Sequence, residues 1–347
     1  MASETGVSDQ GEARGMPCSR CQAALAAAAL YCPGCGRPAT QRSVPLRRQR
    51  WWVIFIIGLA LYWLTEELLK ASGNPNFAPT VMLLGAFLVP VTFVAYLYEA
   101  DALYDVSPIA VALTFLYGGV LGTVAAQLLE QELVLDMGLL GMLAVGVSEE
   151  LAKPLGLLWL ARKNEYATEL HGIVLGAAAG MGFAALETMG YAFTYFIVSR
   201  GNMDVLGQVL ISRGLLSPLA HGTWTAILVG TIWRERSATG AFRLNGSVLK
   251  AFALVVVLHA LWDWTASAIP IEITLPQVSL VWKFIDIVVP AINLPVPGLV
   301  IGGLGLLVLA RMVRQANRIP LSSPGPAAEL PTDLAVTAPT SAPLGEQ

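Results

Sequence analysis

The sequence predicts an all-α fold, a polytopic membrane helix bundle of about eight transmembrane helices, with a small N-terminal zinc ribbon in front of it. Three observations predict this. The 347 residues are 55% hydrophobic and only 13% charged, with a mean hydropathy of +0.64, whereas a soluble domain is about one-quarter charged. Apolar runs of about 20 residues, the length that crosses the hydrocarbon of a bilayer, recur from residue 51 to residue 318. All four cysteines lie ahead of the first run, in two Cys-x-x-Cys pairs.

The elements follow in order. Residues 1–16 are polar, lack the apolar stretch of an export signal, and are expected to be disordered. The N-terminus is therefore expected to stay on the cytoplasmic side. Residues 17–38 carry Cys18-Ser-Arg-Cys21, ten residues, then Cys32-Pro-Gly-Cys35. Two such knuckles suit four thiolates around a structural zinc ion, and cytoplasmic placement argues against disulfides. Regulation, docking of a cytoplasmic protein and a simple N-terminal cap are all open roles. Residues 39–50 form a basic linker. Eight apolar spans are then expected at 51–69, 79–99, 108–128, 137–161, 171–198, 215–233, 248–268 and 294–312. Segment 269–293 reads as a long outer loop or an interfacial helix. Residues 319–347 are rich in Pro, Ala, Ser and Thr and are expected to be disordered.

Basic residues set the orientation. With the N-terminus inside, thirteen Lys and Arg of the segments flanking the spans fall on the inner side, against Lys70, Arg200, Arg213 and Lys283 on the outer side. This fits an even number of spans, both termini in the cytoplasm, and a multi-pass protein of a bacterial cell membrane. The basic residues are topological, and nothing points to nucleic acid. Small residues crowd GIVLGAAAGMGFAALE, which lets helices approach closely and puts span 5 at the centre of the bundle.

The ionisable residues inside these spans are concentrated. Span 4 holds Glu149, Glu150 and Lys153, span 5 Glu187, span 6 His221, and span 7 His259 and Asp263. Each charge at the centre of a membrane helix costs about 2.5–3.5 kcal/mol on insertion scales, so a sequence that retains several is using them. At about 1.5 Å per residue, Glu149, Glu187 and His259 lie roughly 13–18 Å from the outer ends of their helices. Lys153 stands i,i+3 and i,i+4 from the two glutamates, so it can neutralise either along the helix. Pro154 cannot donate to the carbonyl of Glu150 and is expected to kink the helix there. His259 and Asp263 are also i,i+4, so the carboxylate can orient the imidazole or join it on a metal.

Carboxylates and imidazoles in this pattern support hydrolysis in two ways. A glutamate can take a proton from water while His or a backbone dipole stabilises the oxyanion, or Glu and His can hold a divalent metal that acidifies bound water. Glu187, His221 and His259 are the candidate ligands for such a catalytic metal. No serine or cysteine nucleophile suggests itself, and Ser148 reads as a packing residue. The blander readings are an ion pair for Glu149, Glu150 and Lys153, an interfacial role for His171, and belt or packing roles for Trp51, Trp52, Trp224, Trp233, Trp262 and Trp264.

Glu149-Glu150-Leu-Ala-Lys153 matches EExxK, Phe183-Ala-Ala-Leu-Glu187 matches FxxxE, and His259-Ala-Leu-Trp-Asp263 matches HxxxD. In this order on successive spans, the motifs resemble the PrsW family of bacterial intramembrane proteases, related to the CAAX-processing and bacteriocin-immunity membrane proteases. The resemblance implies a protease domain over 51–318 that cleaves membrane-anchored proteins, typified by an anti-sigma factor. It implies Glu149 as the base with Glu150 in support, Glu187, His259 and Asp263 completing the site, and Lys153 supporting it. His221 lies outside the motifs and enters by its position. The mechanism stays open between glutamic and metal-dependent. A proton- or cation-coupled transporter is the alternative for a buried Glu/His/Asp cluster, but the sequence shows neither an inverted repeat nor matched broken helices.

Overall fold

The computed structural model describes residues 50–99, 106–133, 138–155, 157, 166, 168–236, 241–269, 272–276, 278–282, 285–289 and 292–318. The zinc-ribbon cysteines Cys18, Cys21, Cys32 and Cys35, most of the basic linker and the tail from 319 lie outside the described residues.

Nine α-helices are present among the described residues: α1 (Trp51–Ser72), α2 (Ala78–Glu99), α3 (Pro108–Leu133), α4 (Leu139–Ala152), α5 (Glu169–Val198), α6 (Met203–Leu216), α7 (Thr223–Arg234), α8 (Gly246–Ala268) and α9 (Val296–Arg318). Seven stretches among the described residues are long and apolar enough to cross a membrane, with α6 and α7 together, Met203–Arg234, counting as one. The fold is the expected all-α membrane bundle. Two of the eight expected spans differ in detail. Helix α4 is only 14 residues, about 21 Å long, and most of its expected extension to 161 lies outside the described residues. The expected span 215–233 proves to be only the second part of a longer run: α6 enters first, and Asp204, Gln208 and Arg213 had lowered the apolarity of that helix below recognition.

Segment 269–293 corrects the expectation more sharply. It contains strands β1 (Glu272–Leu275), β2 (Val278–Trp282) and β3 (Ile285–Val289) and the start of β4 (Ile292–Pro295). They form two antiparallel pairs, β1 with β4 and β2 with β3. The alternation in EIT, VSLV and IDIV is rich in β-branched residues, which fit a pleated strand better than a helix. Thr274 Oγ1 donates to Asn293 Oδ1 at 3.0 Å across the register.

Helix α5 is the axis of the bundle: it is buried without a break from His171 to Ala185, whereas α1 buries only Tyr62 and Leu69. Its glycines explain how neighbours come so close. A Cβ at Gly172 would meet Trp233 Cβ at 2.6 Å, and one at Gly176 would meet Thr225 O at 2.7 Å. One at Gly180 would overlap the carbonyl oxygen of His221. The i,i+4,i+8 stripe is therefore the seat of α7 and of the turn before it. On another face, Gly118 and Gly119 of α3 sit against Ala179 and Gly182. Gly146 of α4 packs on the Val256 carbonyl of α8, 2.9 Å from where its Cβ would be. Polar ties fix the ends. Thr168 caps α5 reciprocally with His171, so this buried histidine serves its own helix start. Trp233 Nε1 donates to Tyr166 O at 2.8 Å, and the Arg234–Glu169 ion pair at 3.3 Å joins α7 to the same end of α5. Glu99 of α2 accepts from the backbone N–H groups of Arg50 and Trp51 at 2.6 and 3.0 Å, closing the N-terminus of α1.

Replacing Gly180 by Ala is expected to displace the His221 backbone and to cost about 1–3 kcal/mol of stability. A Cβ at Gly190 would meet nothing within 4 Å, so Gly190→Ala is expected to stay within about 0.5 kcal/mol. Thermal unfolding of the two purified variants in detergent checks the contrast.

Candidate active site

Each polar side chain reaches the middle of the bundle for a local reason. Glu149 and Glu150 sit in the last turn of α4, which stops at Ala152. Lys153 N still bonds Glu149 O at 3.0 Å, but Leu157 N then turns to Pro154 O at 2.9 Å. The kink expected at Pro154 is here a full stop of α4, just before the proline. His221 lies in a π-helical turn, Pro218–Gly222. Pro218 has no N–H to donate, Gly222 N reaches back to Ser217 O at 3.2 Å, and Thr223 Oγ1 takes up Pro218 O at 2.7 Å. Such bulges re-aim side chains, often at functional sites. Glu187 lies one turn beyond Phe183 on α5, and His259 and Asp263 lie a turn apart on α8.

These residues meet. Glu150, Lys153 and His259 are 0–1% exposed, and Glu149 and His221 are 5–6% exposed. Lys153 Nζ donates to Glu150 Oε1 at 2.6 Å, lies 3.1 Å from Glu149 Oε2, and is 2.9 Å from His221 Nδ1. Glu150 Oε1 also meets His259 Nδ1 at 2.9 Å. The other nitrogen of that ring, Nε2, is 3.4 Å from Glu149 Oε2 and 3.2 Å from Asp263 Oδ2. His221 presents Nε2 to Glu187 Oε2 at 3.1 Å and Nδ1 towards Glu149 Oε2 at 3.9 Å. The two imidazoles are 5.3 Å apart between centroids, with Trp224 5.0 Å from His259 and Phe183 5.6 Å from His221. Lys153 Nζ also lies 4.4 Å from the centre of the Phe183 ring. Ser148 stays a packing residue, with Oγ on Ala144 O at 2.9 Å.

The arrangement is acidic. The carboxylates of Glu149, Glu150, Glu187 and Asp263 face two permanent cations, Lys153 and Arg213. Both nitrogens of His259 face carboxylates, so a bare Nε2 would set acceptor against acceptor. A second proton on the ring or a divalent cation beside it removes that conflict. Glu149 Oε2 is buried without a hydrogen bond of good geometry among the described residues. Ligand atoms of Glu149, His221 and His259 lie within 4.8 Å of one another, and two imidazoles with one carboxylate make a common catalytic zinc donor set. The donors therefore fit a divalent metal. The sequence had pointed to Glu187, His221 and His259. The group found shares its two histidines, while Glu187 stands behind His221.

Residues 107–290, more than half the chain, match the family described as PrsW family intramembrane metalloprotease. The chain belongs to the PrsW family. The match runs from the start of α3 through β3 and so takes in every residue of the constellation. No curated protein and no solved structure matched the chain. PrsW membership favours proteolysis over the transport alternative.

The six expected catalytic positions and Lys153 all converge, and two further residues join them. Arg213, counted from sequence as an outer-side topological charge, lies on α6 with Nη2 2.6 Å from Glu187 Oε2. Its position within the apolar run VLISRGLL was the available signal. Trp224, read as a belt or packing aromatic, is fully buried against both histidines.

Lys153→Met would leave buried carboxylates short of their cation and is expected to cost about 3–5 kcal/mol of stability. Lys70→Met, which removes the partly exposed pairs of Lys70 with Glu66 and Glu67, is expected to cost at most about 1 kcal/mol. Parallel thermal melts in detergent check both.

Proposed function

We propose that the protein is an intramembrane endopeptidase that hydrolyses a peptide bond of a membrane-anchored protein, of the kind a single-span anti-sigma regulator represents. The observation that carries this reading is the convergence of Glu149, Glu150, Glu187, His221, His259 and Asp263, from separate segments, on one buried point. Several separate charges held in lipid mark a functional site rather than a packing device.

Glu149 takes the proton of the attacking water, because its Oε2 is the carboxylate oxygen that faces both imidazoles without a hydrogen bond of its own. Glu150 accepts from His259 Nδ1 and orients that ring, and Asp263 borders the same ring from one turn away. Lys153 offsets the charge of the two glutamates. Phe183 and Trp224 line the histidines with apolar surface and limit water to the reacting position. In the metal-dependent alternative, Glu149, His221 and His259 would instead hold a divalent ion that would supply Lewis acidity and lower the pKa of water at that point, with Glu149 then a ligand rather than the free base.

We place the protein in a bacterial cell membrane with both termini cytoplasmic, on the basic-residue asymmetry. Removing Arg213 from the outer set sharpens that asymmetry. Cys18, Cys21, Cys32 and Cys35 have the spacing of a structural zinc ribbon, which would face a cytoplasmic protein.

Co-expression with single-span reporter proteins tests the reading. Glu149→Gln is expected to lower cleavage at least about 100-fold, the scale of losing a general base. Undiminished cleavage would remove Glu149 from the chemistry. Metal content of the purified chain, wild type against His221→Ala and His259→Ala, reports on the ion independently of activity. In the proposed orientation, Thr274→Cys on exposed β1 is labelled by an impermeant maleimide in intact spheroplasts. Labelling only after lysis would invert the topology.

A further inference from the structure

Arg213 remains unexplained by the three motifs and by the mechanism above. It stands on α6, two turns before His221. Its Nη2 is 2.6 Å from Glu187 Oε2, and the same oxygen is 3.1 Å from His221 Nε2. The guanidinium lies over the Tyr191 ring at 4.1 Å, and Tyr191 is one turn beyond Glu187 on α5. Charge and aromatic face thus hold the planar group in one place, as Arg does and Lys does not. The side chain is 29% exposed and sits in the last turn of α6, where the run continues through the π-helical turn into α7.

The contacts form a chain from Arg213 through Glu187 to His221. A carboxylate facing one nitrogen of a neutral imidazole favours the proton on that nitrogen and leaves the other as the acceptor. His221 Nδ1 is the nitrogen turned inward, 2.9 Å from Lys153 Nζ and 3.9 Å from Glu149 Oε2. His259 is held the opposite way round, with Nδ1 on Glu150 and Nε2 inward. Each histidine therefore has a carboxylate behind it, and only the one behind His221 is itself held by an arginine.

We propose that Arg213 is a positioning residue: by fixing Glu187 against His221 Nε2, it holds, together with the Lys153 ammonium at Nδ1, the ring orientation and the Nε2–H tautomer that present the Nδ1 lone pair to the reacting centre. This rests on the endopeptidase reading for its catalytic consequence, but not for the tautomer. Glu187 in this role acts behind the histidine, and Tyr191 keeps the arginine on station.

The chain has only three histidines, so nitrogen-15 NMR of the full-length, histidine-labelled protein in detergent resolves His221, assigned with a His221→Asn sample. Wild type is expected to show His221 protonated at Nε2. Arg213→Met is expected to shift the tautomer balance and to lower kcat on a cleaved reporter by about 10–100-fold, the usual scale for removing such a support, with KM little changed. Arg213→Lys, which keeps charge but not the planar fork, is expected to recover part of both. A folded Arg213→Met protein with a wild-type His221 spectrum would overturn the proposal. So would a loss of activity that only tracks lost folded protein while the spectrum of the folded fraction is unchanged. Should no reporter be cleaved even by wild type, the endopeptidase reading fails while the nitrogen spectra still decide the role of Arg213.

Discussion

Taking a carboxylate out of water costs several kcal/mol even after the surroundings relax, and this bundle buries a group of them within a few ångströms. The ion pairs of Lys153 with Glu149 and Glu150, at 3.1 and 2.6 Å, and of Arg213 with Glu187, at 2.6 Å, are what make that burial tolerable. Other features depend on this neutralisation. The helix break at Pro154 comes directly after Lys153. The π-helical turn brings His221 Nδ1 to 2.9 Å from the same ammonium. The two cations do not match four carboxylates, and such a donor set suits a divalent ion.

The scaffold serves that centre by bringing backbones close. In a membrane, helices gain little from hiding apolar surface from lipid, so tight van der Waals contact has to do more of the work. The Gly172, Gly176 and Gly180 stripe seats α7 and the π-helical turn directly on α5, and Gly146 lets α4 press on α8. The distance between Glu149 and the two histidines is set by those approaches. Small residues remote from the chemistry therefore act on it through geometry.

Much of the site was legible because charge in an apolar run is conspicuous. Glu149, Glu150, Lys153, Glu187, His259 and Asp263 stand out by the cost of their burial and by their helical spacing. His221 was found by position alone. Arg213 was misplaced because a positive charge near an expected helix end looks like a topology signal, and only the path of α6 reveals its partner. The strands at 272–295 were missed for a different reason. A short β-rich segment between two membrane spans carries no periodicity long enough to overrule the loop that the spans themselves imply.

By itself, the sequence determined the class of the protein, the placement of most spans and all of the buried polar set but Arg213, since apolarity, length and the cost of intramembrane charge are local properties of the chain. Only the tertiary structure decided which oxygen faces which nitrogen. Whether Glu187 stands beside the histidines or behind one of them depends on helix rotation and on backbone approaches measured in tenths of an ångström. Those are fixed by contacts between residues 26 to 110 positions apart, which no local spacing encodes.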